Sequence, residues 1–247
     1  HQCYSFEMLG PDFSAAFFRS NIEAFFKGAP NGWPMWAFSN HDVVRHTTRW
    51  NLSDAAQRMF TTLMMCLRGS VCIYQGEELG LPEGEVAFED LQDPYGIEFW
   101  PEFKGRDGCR TPMVWESDNA NGGFSDGKPW LPVSSAHLGR SVAAEEADPS
   151  ALIHHYRRAI ALRHAHKALS VGEHTTLQAA GNIVYFTRSF EGTEIFCAFN
   201  VGNDAGDVAL PKGDWVAIAA DIGGAQDIAS GRVKLDAWQV CIATRKA

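Results

Sequence analysis

Asn40-His41-Asp42 closes the apolar run Pro34-Met35-Trp36-Ala37-Phe38-Ser39 with an amide, an imidazole and a carboxylate in a row. Side chains of these types can orient a polar ligand, exchange a proton or stabilise a developing positive charge. They can equally close a strand-to-helix turn, because Asn and Asp satisfy free backbone amides there, and residue type alone favours that second use. Arg45 and Arg49 follow closely, placed either to hold Asp42 or to anchor its loop. A second polar set, Gln75-Gly76-Glu77-Glu78, ends the next apolar run, and its carboxylates read as loop scaffold. Arg110 can fork two donors onto a carboxylate or a ligand. His154 with His155, and His164 with His166, lack the i, i+4 spacing that puts two metal ligands on one helical face, and they read as solvated or capping. The 6 cysteines, Cys3, Cys66, Cys72, Cys109, Cys197 and Cys241, form neither a C-x-x-C pair nor a finger spacing, so they read as reduced core residues.

The elements that must position these groups are visible in the hydrophobic pattern. "QCYSFEML" is a strand run, and "SAAFFRSNIEAFFKG" a helix with Phe18, Ile22 and Phe25 on one face and Gly28 as its stop. "PMWAFS" is the next strand. "SDAAQRMFTTLMMCLRG" is a helix opening on Ser53 and closing at Gly69, and "SVCIYQG" a third strand. Residues 77–148 are rich in Gly, Pro, Asn and Asp with little periodicity, too long for an ordinary connection and therefore a candidate functional segment. A long helix then runs from Asp148-Pro149 through "ALIHHYRRAIALRHAHKAL". Beyond Gly172 the pattern turns to period two in "NIVYFTRSF", "TEIFCAFNV", "DVAL", "WVAIAA" and "WQVCIAT", predicting an antiparallel β-sandwich. Nearly continuous apolar strands alternating with helices predict a parallel sheet, whose chemistry sits in the loops after the strand C-terminal ends. Three such units cannot close a barrel by themselves, since both outer strands would keep unpaired backbone. With His1 in place of a starting Met, the sequence is expected to continue upstream.

Composition narrows the partners. The chain has 247 residues, of which 45% are hydrophobic, enough for one large core and a smaller one. A net charge of −9 with no basic run argues against nucleic acid and against an anionic membrane surface. No apolar run approaches the ~18 residues of a membrane span. A small or neutral ligand is expected.

"FSNHD" resembles the third-carboxylate motif of the α-amylase family of glycoside hydrolases, and "GSVCIYQGEELGL" resembles that family's last barrel strand. "LQDPYGIEFWPEFKGRDGCRTPMVW" followed by "GFSDGKPWLPV" is similar to bacterial α-glucosidases of the oligo-1,6-glucosidase and maltase type. The resemblance covers essentially the whole chain and implies an α/β plus all-β protein. Residues 1–169 would be strands six to eight of a (β/α)8 TIM barrel with the long loop after the last strand, and residues 170–247 a C-terminal β-sandwich.

The resemblance also assigns roles. Asp42 would be the carboxylate that hydrogen-bonds sugar hydroxyls and stabilises an oxocarbenium-like transition state. His41 would donate to a glucose hydroxyl, Arg110 would fork onto hydroxyls or carboxylates, Arg45 would support binding, and Phe6 would offer an apolar face to a neighbouring sugar ring. The family's nucleophile lies in a G-F-R-x-D stretch and its acid is a Glu after strand five. Neither motif occurs here, and Glu7, Asp12 and Glu23, the carboxylates before Asp42, match neither. Implied is part of a retaining, exo-acting α-glucosidase of short α-glucosides, inactive as this chain alone, whose partners are the α-glucoside and the N-terminal half of the barrel. A transglucosidase, a trehalose synthase, or a catalytically dead binding or partner subunit of the same family are the alternatives. No cofactor is expected on this chain, a structural divalent cation being left to the N-terminal part of the family fold, and the expected location is cytoplasmic.

Overall fold

A computed structural model describes residues 2–246. In chain order the elements are β1 (Gln2–Tyr4), α1 (Ala15–Gly28), β2 (Trp33–Trp36), α2 (His46–Arg49), α3 (Asp54–Cys66), β3 (Ser70–Val71), and the short helices α4 (Pro94–Glu98), α5 (Ser135–Leu138) and α6 (Val142–Ala147). They are followed by α7 (Leu152–Ala165), α8 (Lys167–Val171), β4 (Glu173–Ala180), β5 (Ile183–Phe190), β6 (Thr193–Asn200), β7 (Gly206–Ala209), β8 (Val216–Ala217), β9 (Ile228–Ala229), β10 (Arg232–Leu235) and β11 (Val240–Lys246). They form two compact units. One takes the chain through Trp36, Ala55–Cys72 and His155 onward; the other takes Ala37–Asp54 and Ile73–His154.

The first unit contains a parallel sheet in the order β1-β2-β3, with Tyr4 opposite Met35 and Trp36 opposite Val71. Helix α1 starts where the Ser14 hydroxyl accepts the Phe17 amide at 3.0 Å, and it buries Ala15, Phe18 and Ile22, the stripe expected from their spacing. Helix α3 buries almost every side chain, and Phe60 meets Phe18 with ring centroids 5.7 Å apart. Each such phenyl burial contributes about 1.5–3 kcal/mol. The turn into β3 needs Gly69, whose φ of +134° and whose distance of 2.6 Å from a would-be Cβ to the Pro34 carbonyl leave no room for a side chain.

The last carbonyls of α3 lie beyond the reach of helical amides and are taken by two buried arginines. Arg163 of α7 donates to the carbonyls of Met65 at 2.5 Å, Leu67 at 3.0 Å and Gly69 at 2.5 Å. Arg188 of β5 donates to Cys66 at 2.6 Å and Gly172 at 2.7 Å. Burial pushes the Arg188 guanidinium down to about 10.

The tail folds as a five-stranded antiparallel sheet, β4-β5-β6-β11-β8, and a three-stranded one, β7-β10-β9. Ile183, Phe196, Ala198 and Cys241 of the larger sheet and Val208, Val233 and Leu235 of the smaller belong to one buried cluster. The sequence pattern misses β4 and β10, whose polar, half-exposed composition gives little apolar signal. Burial in β6 runs unbroken from Ile195 to Asn200 instead of alternating, since α8 covers what the smaller sheet does not. The predicted long helix breaks at His166, whose extended φ/ψ of −120°/106° separates α7 from α8. His155 is also not a solvated residue: it is buried, with Nε2 2.9 Å from the Arg58 carbonyl. All six cysteines are free, but Cys3 is exposed.

The second unit holds the long segment, and it is ordered rather than structureless. Leu79, Leu81, Ala151 and Ile153 form one small core, and Val86, Leu91 and Leu131, with Trp100 against them, form another. Among the described residues no helix is long and apolar enough to cross a membrane.

Candidate active site

The Asn40-His41-Asp42 turn is built by its own first residue. Asn40 Oδ1 accepts the Asp42 amide at 2.9 Å, an Asx turn, so the capping role that residue type suggests belongs to Asn40. His41 and Asp42 are thereby freed, with side chains 68% and 45% exposed and His41 Nε2 3.4 Å from Asp42 Oδ2.

Two guanidinium groups meet the other oxygen of Asp42. Arg110 Nη2 lies 3.3 Å from Oδ1 while its Nε donates to the His41 carbonyl at 2.7 Å, and Arg106 Nη1 lies 3.1 Å from the same oxygen. Arg106 in turn is clamped by Asp93, through Nε to Oδ2 at 2.9 Å and Nη2 to Oδ1 at 2.8 Å, the paired geometry for which the planar guanidinium is suited. Those hydrogen bonds hold the Asp93 carboxyl well below the usual carboxylate range and push the Arg106 guanidinium up. Asp93 is itself placed by its backbone: its amide and that of Gln92 both donate to Asp107 Oδ2, at 2.8 and 2.6 Å. Two arginines and two aspartates, Asp93, Arg106, Asp42 and Arg110, thus form a charge-balanced chain that ends in an exposed carboxylate and imidazole.

Arg45 has a different position from the one expected of a ligand-binding residue. It is 1% exposed, with Nη1 on the Gln75 carbonyl at 2.6 Å and Nη2 on the Cys109 carbonyl at 3.1 Å. Burial lowers its guanidinium, opposed chiefly by Tyr74 and Glu83. It ties three loops of this unit together. Arg49 likewise points inward, donating to the carbonyls of Phe38 and Val44. Glu77 is buried, accepts the Tyr74 amide at 3.2 Å and lies 3.4 Å from His46 Nδ1, consistent with scaffold. Phe6 belongs to the first unit, where it is 65% exposed and packs edge-on to Tyr4 at 4.8 Å.

Sequence reasoning thus brought Asp42, His41 and Arg110 to one place and missed Arg106 and Asp93. The available signal was the pair of arginines four apart in "RDGCR", which a 3-10 turn over Asp107–Arg110 presents to the same carboxylate.

The family model for the α-amylase catalytic domain matches residues 7–172. The chain belongs to the α-amylase family. Within the family it is 49% identical, over 243 residues, to a probable α-glucosidase of Rhizobium meliloti (strain 1021), covering 96% of this chain and 44% of that protein. It is 29% identical over 211 residues to an oligo-1,6-glucosidase of Heyndrickxia coagulans, covering 76% and 38% of the two. Among solved structures, an α-glucosyl transfer enzyme, XgtA, superposes with a TM-score of 0.91 at 43% identity, over 98% of this chain and 46% of that one. The chain spans less than half the length of these family members.

Proposed function

We propose that the chain is the C-terminal portion of a retaining, exo-acting α-glucosidase, supplying strands six to eight of the barrel and the β-sandwich. The observation that carries this reading is the Asp42 carboxylate, exposed on one side and held on the other by Arg106 and Arg110. A carboxylate so held presents a fixed oxygen to sugar hydroxyls, and its charge opposes the positive charge that develops at the anomeric carbon. His41 donates to a hydroxyl of the same glucosyl ring. Arg110 fixes the turn and carboxylate together, while Arg45 supports the loops from inside and touches no sugar. Phe6 offers an exposed apolar face on which a sugar ring can stack. The nucleophile and the general acid, which retention requires roughly 5–5.5 Å apart, belong to the rest of the barrel. This chain alone is therefore inactive.

Similarity to the Rhizobium meliloti and Heyndrickxia coagulans proteins supports hydrolysis of short α-glucosides with release of glucose. A second reading, transfer of the glucosyl group to another sugar in place of water, is supported by the similarity to the α-glucosyl transfer enzyme XgtA. The free cysteines fit a reducing compartment such as the cytoplasm. In the full-length protein Asp42→Asn should lower kcat on a chromogenic α-glucoside by about three orders of magnitude. A loss under about tenfold would reduce Asp42 to a turn residue. Product analysis of the unaltered protein, glucose against a new oligosaccharide, decides between hydrolysis and transfer.

A further inference from the structure

The second unit carries an open groove of about 520 Å³ lined by Trp130, Gln92, Asn119, Glu89, Asp90 and Lys128. Its volume falls in the roughly 300–1,000 Å³ range of small-molecule sites. It does not include Asp42, His41 or Arg110.

Trp130 is the most notable of these side chains, 63% exposed although an indole is among the costliest groups to leave in water. Its position is fixed by what flanks it. Pro129 and Pro132 restrict the backbone, and Leu131 is buried against Val86 and Leu91. The preceding turn is equally determined: Asn121, at φ +50°, donates from Nδ2 to the carbonyls of Ser125 and Gly127, both at 2.9 Å. The indole is held out rather than left loose. Around it stand planar amides and carboxylates. Asn119 lines the groove while donating from Nδ2 to Glu116, and Glu89, Asp90 and Lys128 have no ion-pair partner among the described residues.

An aromatic plane beside amides and carboxylates matches one ligand chemistry well. A pyranose ring has an apolar C–H face and a rim of hydroxyls, each able to donate and accept, so it stacks on the indole while its edge bonds to Asn, Gln, Asp and Glu. Two carboxylates against one ammonium disfavour an anion, and the indole flanked by amides supplies the stacking face and hydrogen-bonding edge that a neutral ring of hydroxyls needs. We propose that this groove is a second carbohydrate site, which binds a neutral glucosyl oligosaccharide apart from the group that holds Asp42; the identity of the sugar as an α-glucoside rests on the function proposed above.

The test uses the full-length protein carrying Asp42→Asn, so that the probe is not consumed, titrated with maltotriose by calorimetry. The expected result is a binding event at the Trp130 groove that Trp130→Ala weakens about tenfold or more and Trp130→Phe weakens less, while Trp115→Ala, an exposed indole outside the groove, leaves it unchanged. Because Trp130 is largely exposed, the Ala variant should keep its circular dichroism spectrum and melting temperature. An isotherm unaltered by Trp130→Ala overturns the site. If the unaltered protein cleaves and transfers no α-glucoside, yet maltotriose binding still depends on Trp130, the proposed activity is wrong and the site stands. If it is fully active and binding is indifferent to Trp130, the site alone is wrong.

Discussion

On the function proposed above, charge balance at Asp42 matters as much as position. Asp93 neutralises Arg106, which without it would leave one uncompensated cation beside Asp42, where the proposed reaction builds positive charge. Asp93→Asn removes that balance and half of the clamp, and it should lower kcat by about ten- to a hundredfold. The KM of a neutral α-glucoside should scarcely move, because an uncharged ground state does not feel the added charge. If KM rises as steeply as kcat falls, Asp93 merely keeps the loop folded. Arg110 works through two different acceptors, the Asp42 carboxylate and the His41 carbonyl. Arg110→Lys, with one point of donation, should therefore lower activity as far as Arg110→Ala; full activity in the Lys variant would remove the fork. Asp42, His41 and Arg110 were legible in sequence because the motifs bearing them occur in a characteristic order. Arg106 and Asp93 were not, because their role arises only when residues 93, 106 and 42 are folded together. Of the two uses that spacing leaves open for Arg45, the structure has the loop anchor and not the binding role that the resemblance implies, since nothing in the spacing tells whether a guanidinium turns toward a ligand or toward buried carbonyls.

Among the elements, α3 and α7 are joined through His155. Its Nε2 lies 3.0 Å from the Thr62 hydroxyl as well as near the Arg58 carbonyl, and burial lowers the imidazole to about 4. A histidine that is neutral when folded but titrates near 6.5 when unfolded adds stability above pH 6.5, and this is lost as the pH falls from 6.5 toward 4, up to on the order of 3 kcal/mol. His155→Gln should flatten that part of the stability–pH curve in urea denaturation measured at steps across the window. An unchanged slope would mean that His155 is accessible to protons when folded. The parallel strands and helices α1 and α3 were readable because apolar periodicity and caps agreed. The break at His166 was not, since "ALRHAHKAL" contains neither Gly nor Pro and keeps helical composition across it. Strand β4 escaped because an edge strand with a wet face needs few apolar residues, and β10 because its four residues, paired on both sides, alternate Arg and Lys with only two apolar side chains.

For the molecule as a whole, the sheet order β1-β2-β3 leaves β1 and β3 with one unpaired side each. Produced alone, the chain is expected to associate or fold poorly and to turn over no α-glucoside. The tail from about Ser170 has its own two-sheet core, and by pattern alone it should be the part that folds best. Arg188 complicates that expectation, because it is fully buried in the chain and one of its two acceptors, the Cys66 carbonyl, lies outside the tail. Arg188→Met should accordingly act with opposite signs, destabilising the full-length protein by uncapping α3 and stabilising an isolated tail by removing a guanidinium that has lost a partner. Thermal melts of both forms check this, and a same-sign shift would show that Arg188 is satisfied within the tail.

The two arginines on the end of α3 also set a schedule. Arg188 follows Cys66 by 122 residues, and Arg163 follows Met65 by 98. At the roughly 5–20 residues per second of ribosomal synthesis, the carboxyl end of α3 waits on the order of ten seconds with water as its only cap. Without those two side chains the helix end and the turn at Gly69 that leads into β3 are expected to fray. Pairing of β3 with β2 is thus expected to wait on Arg163 and Arg188, which would make the C-terminal strands a checkpoint on completion of the parallel sheet.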